Sequence, residues 1–313
     1  MSVLVTGATG FLGRHLVRLL QERGDPVRAL VRPQTDASFL ERAGVEVVRG
    51  RLLDPEAVRR ASADCRLVFH AAGLVSYERR DIRRLREANV ETVQTVLASA
   101  DPEARLVHVS SLAAVGPSSS PDRLATEDQP FPAAAESIPY CATKRLAERL
   151  VLGAAVDGRD VVIANPSVAL GPGDLYGSST WPVPRYLRGR IRIYVEGGTA
   201  NVDVRDVAAG LLAVAELGRS GERYILTAPD GNLAWRDFFD LVARVTGVRR
   251  RMVRVPGVAA SAGASLLRWP VEPGRVEAAR LWWFASAAKA EREVGFRTRP
   301  FAETVTDTAA EYL

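Results

Sequence analysis

The sequence has few of the residues that build metal sites and covalent cross-links. Its 313 residues include only two cysteines, Cys65 and Cys141, and three histidines. The cysteines form no CxxC pair, so neither a disulfide framework nor a zinc knuckle is indicated. The histidines show no HExxH or similar ligand spacing. We therefore expect no metal site.

Long apolar runs are also missing. No stretch of the sequence approaches the roughly 18–20 consecutive apolar residues that span a bilayer. The sequence begins with "SVLVTGATG", without the basic and then apolar pattern of a cleavable leader. These two absences predict a cytoplasmic protein that does not bind a membrane.

Lysine is scarce although the chain is basic. The net charge is +5, and of the 42 basic residues only Lys144 and Lys289 are lysines. Two arginine-rich runs, "RRDIRRLR" (79–86) and "VRRRMVR" (248–254), are candidate nucleic-acid patches. Acidic residues are interspersed through the rest of the chain, which favours solvated surfaces instead. We expect no nucleic-acid partner.

Short apolar runs alternate with helical patterns through the first half of the chain. Strands are predicted at "SVLVTG", "PVRALVR", "VEVVRG", "RLVFHAA", "ARLVHVSS" and "DVVIANPS". One long helix is predicted over "DIRRLREANVETVQTVLASA", and Asp206 is predicted to cap the helix "DVAAGLLAVAEL". Repeated strand–helix alternation indicates parallel strands joined by right-handed crossovers. The predicted fold class is α/β, a doubly wound parallel sheet of the Rossmann type.

The pattern loosens after Asn165, where Gly, Pro and Ser become frequent. We predict a dinucleotide-binding domain over 1–165, to which a later segment at about 200–228 returns. The remainder, 166–313, is predicted to form a smaller, mostly C-terminal substrate-binding lobe that interleaves with the first domain.

A glycine-rich turn joins the first predicted strand to the first predicted helix. In "VTGATGFLGRHL", three glycines form the pattern GxxGxxG. Glycine permits a tight turn and lets a pyrophosphate approach the main-chain N–H groups at a helix N-terminus. The strand–turn–helix context favours a dinucleotide site over a purely structural turn. The candidate contacts in this loop are Gly7, Thr9, Gly10, Phe11, Leu12 and Gly13.

The end of the second strand indicates which dinucleotide is bound. NAD-binding proteins commonly offer an acidic residue to the ribose 2′-hydroxyl, but this chain has Arg32 in "VRALVRPQ". An arginine there can bind a 2′-phosphate through charge-assisted hydrogen bonds, which favours NADP(H) over NAD(H). Arg28 or Arg14 can assist, and an ordinary edge arginine is the alternative.

Tyr140 and Lys144 are four residues apart in "IPYCATKRLAERL", which places them on one face of a helix. A lysine beside a phenol favours the phenolate and is expected to lower the tyrosine pKa toward neutrality. Such a tyrosine can exchange a proton with a carbonyl or alcohol oxygen. Ser110 and Ser111 follow the fifth strand, and either hydroxyl can donate to the same substrate oxygen. A surface pair with no chemical role is the alternative.

Together these motifs resemble the extended short-chain dehydrogenase/reductases of the NAD(P)-dependent epimerase/dehydratase superfamily, most closely the dihydroflavonol-reductase-like branch. The resemblance runs nearly end to end through "TGATGFLG", "HAAG", "VSSLAAVG", "YCATK", "NPSVALGPGD", "DVRDVA" and "GERYILTAPD". It implies that Tyr140 is the general acid/base, that Lys144 binds the nicotinamide ribose and that Ser111 polarises the carbonyl. It also implies a homodimer formed through helices 81–100 and 137–154.

The resemblance assigns further cofactor contacts by position. Ala71, Ala72 and Gly73 would line the adenosine and ribose path, and Pro166, Ser167 and Val168 would hold the nicotinamide carboxamide. Asn89 matches an asparagine that is usually structural. Arg51 stands where many relatives have an acidic residue near adenine, which leaves the Leu52 backbone as a substitute contact. Asn165 and Ser167 replace an Arg…Asn pattern of nucleotide-sugar epimerases.

The primary functional prediction is an NADPH-dependent reductase of a ketone or aldehyde, or the reverse alcohol dehydrogenase, acting on a small hydrophobic or ring-containing molecule. Aromatic residues in segments 74–80, 112–138 and 171–200 are candidate substrate walls: Tyr77, Phe131, Tyr176, Trp181 and Tyr186. The stretch "ARLWWF" (279–284) is predicted to be core or a lobe contact rather than pocket. An epimerase or dehydratase with retained NAD(P)⁺ is one alternative, and a non-catalytic NADP sensor is another.

Overall fold

Seven parallel strands form the central sheet of the protein. The structure is a computed structural model that describes residues 2–175, 177, 179–266 and 273–313. Its strands are β1 Ser2–Thr6, β2 Val27–Val31, β3 Glu46–Arg49, β4 Cys65–His70, β5 Arg105–Val109, β6 Val161–Pro166, β7 Val168–Leu170, β8 Ile193–Tyr194, β9 Gly198–Thr199, β10 Asn201–Asp203, β11 Arg223–Leu226, β12 Leu233–Ala234 and β13 Val253–Arg254. The order in the large sheet is β11-β6-β5-β4-β1-β2-β3. The predicted α/β class and parallel sheet are confirmed.

Helices cover both faces of this sheet. They are α1 Phe11–Glu22, α2 Ser38–Arg42, α3 Pro55–Ser62, α4 Ile82–Arg86, α5 Thr92–Ser99, α6 Leu112–Val115, α7 Ala133–Glu136, α8 Pro139–Val156, α9 Pro182–Leu187, α10 Val204–Leu217, α11 Trp235–Thr246, α12 Gly257–Leu266, α13 Pro273–Ala279, α14 Ala288–Glu293 and α15 Phe301–Ala310. Within the described residues, none of the helices has both the length and the apolar character needed to cross a bilayer.

The alternation of side chains along each strand divides the core into two layers. In β1, Val3 and Val5 pack toward α1 and α10, whereas Leu4 packs on the opposite face with residues of α3, α5 and α8. Both faces are apolar because each is covered by helices, as expected for a parallel sheet. The chain returns to the sheet through α10 and β11, which pairs with β6.

The strand order reverses direction at β1, which pairs with β2 on one side and β4 on the other. Such a switch point leaves a crevice at the carboxyl ends of the strands, where ligands of open α/β sheets bind. The fold therefore opens its main cleft directly above the glycine-rich turn.

One local prediction is wrong, and another needs a refinement. The helix predicted over 81–100 is present, but it consists of α4, a π-helical turn Glu87–Glu91 and α5 in direct succession. Asp203, rather than Asp206, caps α10 by accepting a hydrogen bond from the Arg205 N–H at 2.8 Å. Asp206 lies in the first turn and pairs with the Arg299 guanidinium at 2.8 Å.

Candidate functional site

A single cleft of about 1240 Å³ runs along the carboxyl edge of the sheet. It brings together all of the catalytic and cofactor-binding residues predicted from the sequence. Those that line it are Gly7, Thr9, Gly10, Phe11, Leu12, Gly13, Arg32, Leu52, Ala71, Ala72, Gly73, Ser111, Tyr140, Lys144, Pro166, Ser167 and Val168. Residues from six strand ends thus converge on one elongated space.

The glycine-rich turn is shaped by backbone contacts that no side chain could share. A Cβ on Gly13 would lie 2.1 Å from the carbonyl oxygen of Gly7, so α1 begins against the turn that precedes it. Gly10 is the N-cap of α1 and supplies no side-chain cap. The first amides of an α-helix have no intrahelical partner and carry the positive end of its dipole. The turn therefore presents bare N–H donors to the cleft, as a pyrophosphate requires.

Two arginines stand at the end of the cleft that lies beyond β2 and β3. Arg32 follows β2 and Arg51 follows β3, and the two strand ends are joined by a hydrogen bond from the Gly50 N–H to the Val31 carbonyl at 3.0 Å. Both arginine side chains are exposed. Their guanidinium groups give this end of the cleft a cationic rim.

The two other arginines named as possible partners are engaged elsewhere. Arg28 pairs with Glu46 at 2.9 Å and donates to the carbonyls of Ala61 and Ala63, so it belongs to the opposite end of the strand. Arg14 donates to the Thr9 carbonyl at 3.1 Å and stacks on Phe39. Arg14 therefore braces the glycine-rich turn from outside.

Asn89 holds the segment that follows β4. Its carboxamide oxygen accepts from the Leu74 N–H at 2.8 Å, and its Nδ2 donates to the Leu74 carbonyl at 2.9 Å. A Cβ on Gly73 would lie 3.1 Å from the Asn89 oxygen and 3.7 Å from the Lys144 ammonium nitrogen. The π-helical turn thus carries a structural asparagine that fixes the Ala71–Gly73 wall beside Lys144.

The reactive groups gather where β5 ends and α8 begins. Pro139 is the first residue of α8, so Tyr140 and Lys144 lie on its first turns. Lys144 donates to the Val109 carbonyl at 3.1 Å, and Ser111 is the neighbour whose side chain lowers the pKa of the Tyr140 hydroxyl. Ser111 caps α6 by accepting from the Ala113 N–H at 3.2 Å. Of the two candidate serines, Ser111 is therefore the one that meets the phenol.

Burial controls the ionisation of these groups. It raises the pKa of Tyr140 above its ordinary value, and the nearby Ser111 side chain opposes this only in part. Burial also lowers the pKa of Lys144 to about 8, against the opposing charge of Glu148. The expectation that Lys144 brings the pKa of Tyr140 toward neutrality is wrong for this geometry, because burial of the phenol is the largest influence on that pKa and raises it.

Two buried hydroxyls mark the cofactor side of the reactive centre. The Oγ atoms of Ser110 and Ser167 have no hydrogen-bond partner among the described residues. Both residues line the cleft, and buried polar atoms are normally satisfied. With the bare N–H donors of the glycine-rich turn and the cationic rim, these orphaned hydroxyls fit a dinucleotide lying along the cleft.

The aromatic walls agree only in part with the sequence. Tyr77 and Trp181 line the cleft, and the Tyr77 ring lies 5.9 Å from that of Tyr140. Phe131 instead packs beneath Arg145, and Tyr186 is buried against Phe239. Tyr176 lies outside the described residues.

Sequence reasoning missed the far wall of the cleft. Trp283, placed in a predicted core segment, lines the cleft, and its indole N–H donates to the Ala278 carbonyl at 2.9 Å. Arg275 also lines the cleft and lies over the rings of Tyr77 and Trp181. Neither residue belongs to a motif. The excess of tryptophan in "ARLWWF" was the one available signal.

Comparisons with known proteins agree with this geometry. The family model described as "NAD dependent epimerase/dehydratase family" matches residues 3–226. "Sterol demethylase protein B" of Methylococcus capsulatus is 34% identical over 275 residues, covering 87% of this chain and 82% of the relative. A "4-hydroxy-2-methyl-3-oxo-4-farnesyl-3,4-dihydroquinoline-1-oxide ketoreductase" of Stigmatella aurantiaca is 34% identical over 319 residues, covering 96% of this chain and 92% of the relative. The crystal structure of gox2253 superposes with a TM-score of 0.86 at 32% identity, covering 99% of this chain and 97% of that one.

The chain belongs to the NAD-dependent epimerase/dehydratase family and is an NAD(P)-dependent oxidoreductase of the extended short-chain dehydrogenase/reductase type. Other relatives carry the names of dihydroflavonol and cinnamoyl-CoA reductases. The family and branch expected from the motifs are therefore confirmed.

Proposed function

We propose that the protein is an NADPH-dependent reductase of a ketone or aldehyde carried by a hydrophobic, ring-containing substrate. The observation that carries this proposal is that Tyr140, Ser111 and Lys144 line the same cleft, with the Ser111 side chain acting on the phenol one helical turn from Lys144. A substrate carbonyl oxygen placed between the two hydroxyls would meet a proton donor and an orienting donor at once.

Reduction is the direction that the ionisation of Tyr140 supports. Its raised pKa keeps the phenol protonated at neutral pH, ready to give its proton to the much more basic alkoxide that forms as the carbonyl is reduced. Reduced nicotinamide, when bound, would supply the hydride. Lys144 would hold the adjacent ribose, and Pro166, Ser167 and Val168 would hold the carboxamide. Ser111 would orient the substrate oxygen.

Preference for NADPH is proposed from the cationic rim. Arg32 and Arg51 follow neighbouring strands and both line the adenosine end of the cleft. Two guanidinium groups suit a 2′-phosphate far better than a neutral ribose hydroxyl. Arg51, which departs from the acidic residue of many relatives, thereby acquires a role.

The substrate class is proposed from the other end of the cleft. Tyr77, Trp181 and Trp283 line this part of the cleft, and aromatic walls favour a flat or apolar molecule. The printed names of two relatives refer to a sterol and to a farnesyl-bearing quinoline oxide. A bulky ring ketone is therefore proposed in preference to a sugar nucleotide.

An NADPH-oxidation screen over aryl ketones, 3-keto steroids, dihydroflavonols and sugar nucleotides tests the function. We expect turnover with at least one hydrophobic ketone, and a loss of about 10²–10⁴-fold in kcat for Tyr140→Phe. NADPH should bind this variant with unchanged affinity, since only the phenol oxygen is removed. Unchanged turnover in Tyr140→Phe would contradict the proposed role of the phenol.

The second candidate is an epimerase or dehydratase with retained cofactor, which the description of the matching family model favours. It would convert its substrate without net consumption of NADPH and would retain NAD(P)⁺ through purification. Product formation from a sugar nucleotide at constant NADPH absorbance would select this candidate over the reductase.

A further inference from the structure

A third polar residue continues the stripe formed by Tyr140 and Lys144. Glu148 follows Lys144 by four residues on α8, so the three side chains share one helix face. Glu148 is completely buried, at 0% exposure. A buried carboxylate is costly unless it is paired and hydrogen-bonded. The partners of Glu148 therefore indicate its role.

Arg223 and Asn165 satisfy this carboxylate from neighbouring strands. Arg223 of β11 donates through Nη1 to Oε2 of Glu148 at 3.2 Å, and Asn165 of β6 donates through Nδ2 to Oε1. Arg223 also donates to the carbonyl of Glu127, whose carboxylate accepts from the Ile225 N–H at 2.8 Å. Both carboxylate oxygens of Glu148 are thus held by side chains from β11 and β6.

Asn165 links this pair to the reactive centre. The same Nδ2 that donates to Glu148 also donates to the main-chain carbonyl of Ser111 at 2.9 Å. Asn165 directly precedes Pro166, which lines the cofactor side of the cleft. One carboxamide therefore ties the carboxylate on α8 to the backbone of Ser111, the residue whose hydroxyl meets Tyr140.

We infer that Glu148 is a positioning residue for the proposed reductase reaction, holding Ser111 through Asn165 and facing Lys144 with a buried negative charge. This inference rests on the proposed function for its catalytic consequence, but its geometry does not. Glu148 does not touch the substrate. It acts through the two groups on either side of the phenol.

The charge of Glu148 matters because the rest of the surroundings of Lys144 disfavour an ammonium. Burial lowers the pKa of Lys144 to about 8, and Glu148 raises it. Lys144 in turn acts on His70 of β4 and His108 of β5, and burial lowers the pKa of both imidazoles far enough to keep them neutral. The cations that act on or contact Glu148 from other positions are Arg145 on α8 and Arg223 on β11.

The scarcity of lysine makes a direct test possible. Because Lys144 and Lys289 are the two lysines of the chain, a protein labelled with ¹³C at lysine Cε gives two signals. Lys289 pairs with Glu222, and Lys289→Arg would assign the signals. We expect Lys144 to titrate near pH 8 in the unsubstituted protein and at least about one pH unit lower in Glu148→Gln.

A double variant distinguishes a positioning role of Glu148 from a role that is limited to pairing with Arg223. Glu148→Gln alone leaves Arg223 without its buried partner and can weaken folding. Glu148→Gln combined with Arg223→Gln removes both charges. We expect the double variant to fold, to keep the lowered Lys144 midpoint, and to lose about tenfold in kcat with KM nearly unchanged, its alkaline limb of activity moving to lower pH. A wild-type midpoint and kcat in the double variant would overturn the inference.

Two further variants complete the test. Asn165→Ala should lower kcat without moving the Lys144 titration, because it cuts the link to Ser111 but leaves the charge in place. The control is Asp160→Asn, which removes a carboxylate that pairs with Arg105 at the amino end of the sheet. It should change neither kcat nor the titration midpoint of Lys144. An unchanged kcat in Asn165→Ala would overturn the positioning of Ser111. If the unsubstituted protein oxidises no NADPH with any substrate, the proposed function fails, whereas the lysine titration still decides on Glu148.

Discussion

Gly7 lies directly against the peptide bond between Ala71 and Ala72. A Cβ on Gly7 would be 2.8 Å from the Ala71 carbonyl carbon and oxygen and from the Ala72 nitrogen, and the φ of Gly7 is +74°. The turn after β1 and the end of β4 therefore touch through their backbones. This contact brings the proposed pyrophosphate donors of the turn next to the wall that would line the ribose.

Two of the three glycines of the turn, Gly7 and Gly10, should respond differently to replacement by alanine. Gly7→Ala should lower the free energy of unfolding by about 2–4 kcal/mol. The new Cβ would clash with the backbone, and alanine would have to adopt the left-handed φ of Gly7. In Gly10→Ala, the Cβ would lie 3.2 Å from the Gly7 carbonyl oxygen, a tight contact that a shift of a few tenths of an ångström relieves, so the loss of stability should be smaller than in Gly7→Ala. We expect Gly10→Ala to weaken NADPH binding by at least about tenfold with little loss of stability. Calorimetric titration and thermal unfolding measure the two effects, and intact NADPH binding in Gly10→Ala would contradict the proposed pyrophosphate site.

Cofactor choice should depend on Arg32 and Arg51. Each replacement by alanine should weaken NADPH binding by about tenfold or more while leaving NADH binding within about twofold, because only the 2′-phosphate is lost as a partner. Arg28→Ala is the matched control, since Arg28 lies at the opposite end of β2 from Arg32 and pairs with Glu46 of β3. The ratio of kcat/KM for the two cofactors measures the preference. Equal losses for NADH and NADPH would show that the arginines support the fold instead.

Acid should destabilise the protein through two buried imidazoles. Burial lowers the pKa of His70 to about 3 and that of His108 well below its ordinary value. Between pH 6.5 and 3 the unfolded chain binds protons that folded His70 does not, so stability falls as the pH is lowered. We expect each histidine to remove about 2 kcal/mol between pH 7.5 and 5. Urea unfolding at both values tests this, with His108→Leu reducing the difference and His15→Gln, at a half-buried position, retaining most of it. A pH-independent stability would mean that the imidazoles titrate normally.

The sequence predicted those parts of the protein that short patterns determine. β-branched runs, the spacing of the three glycines and the four-residue interval between Tyr140 and Lys144 are local, and each corresponds to the structure. The cap of α10 was misassigned because Asp203 and Asp206 are both plausible caps, and the choice depends on Arg299, which is 93 residues away from Asp206.

The remaining parts depend on contacts between distant segments. Trp283 reaches the cleft only because the chain after α13 folds back beside β9. There the main-chain N–H of Trp283 donates to the Gly198 carbonyl. The pKa of Tyr140 was misjudged for a related reason. The interval to Lys144 can be read from the sequence, but the extent of burial cannot. The cytoplasmic location and the homodimer stay predictions.

The neighbouring tryptophans Trp282 and Trp283 offer a matched test of the substrate wall. Trp283 lines the cleft, whereas Trp282 packs on Phe284 with ring centroids 5.3 Å apart. Trp283→Phe should raise KM for a bulky ring ketone by about three- to tenfold, as apolar contact area with the substrate is lost, and should leave kcat and NADPH affinity nearly unchanged. Trp282→Phe should leave all three parameters unchanged. Steady-state kinetics on the best substrate from the screen measures this, and an equal effect of both replacements would place Trp283 in the core rather than in the substrate wall.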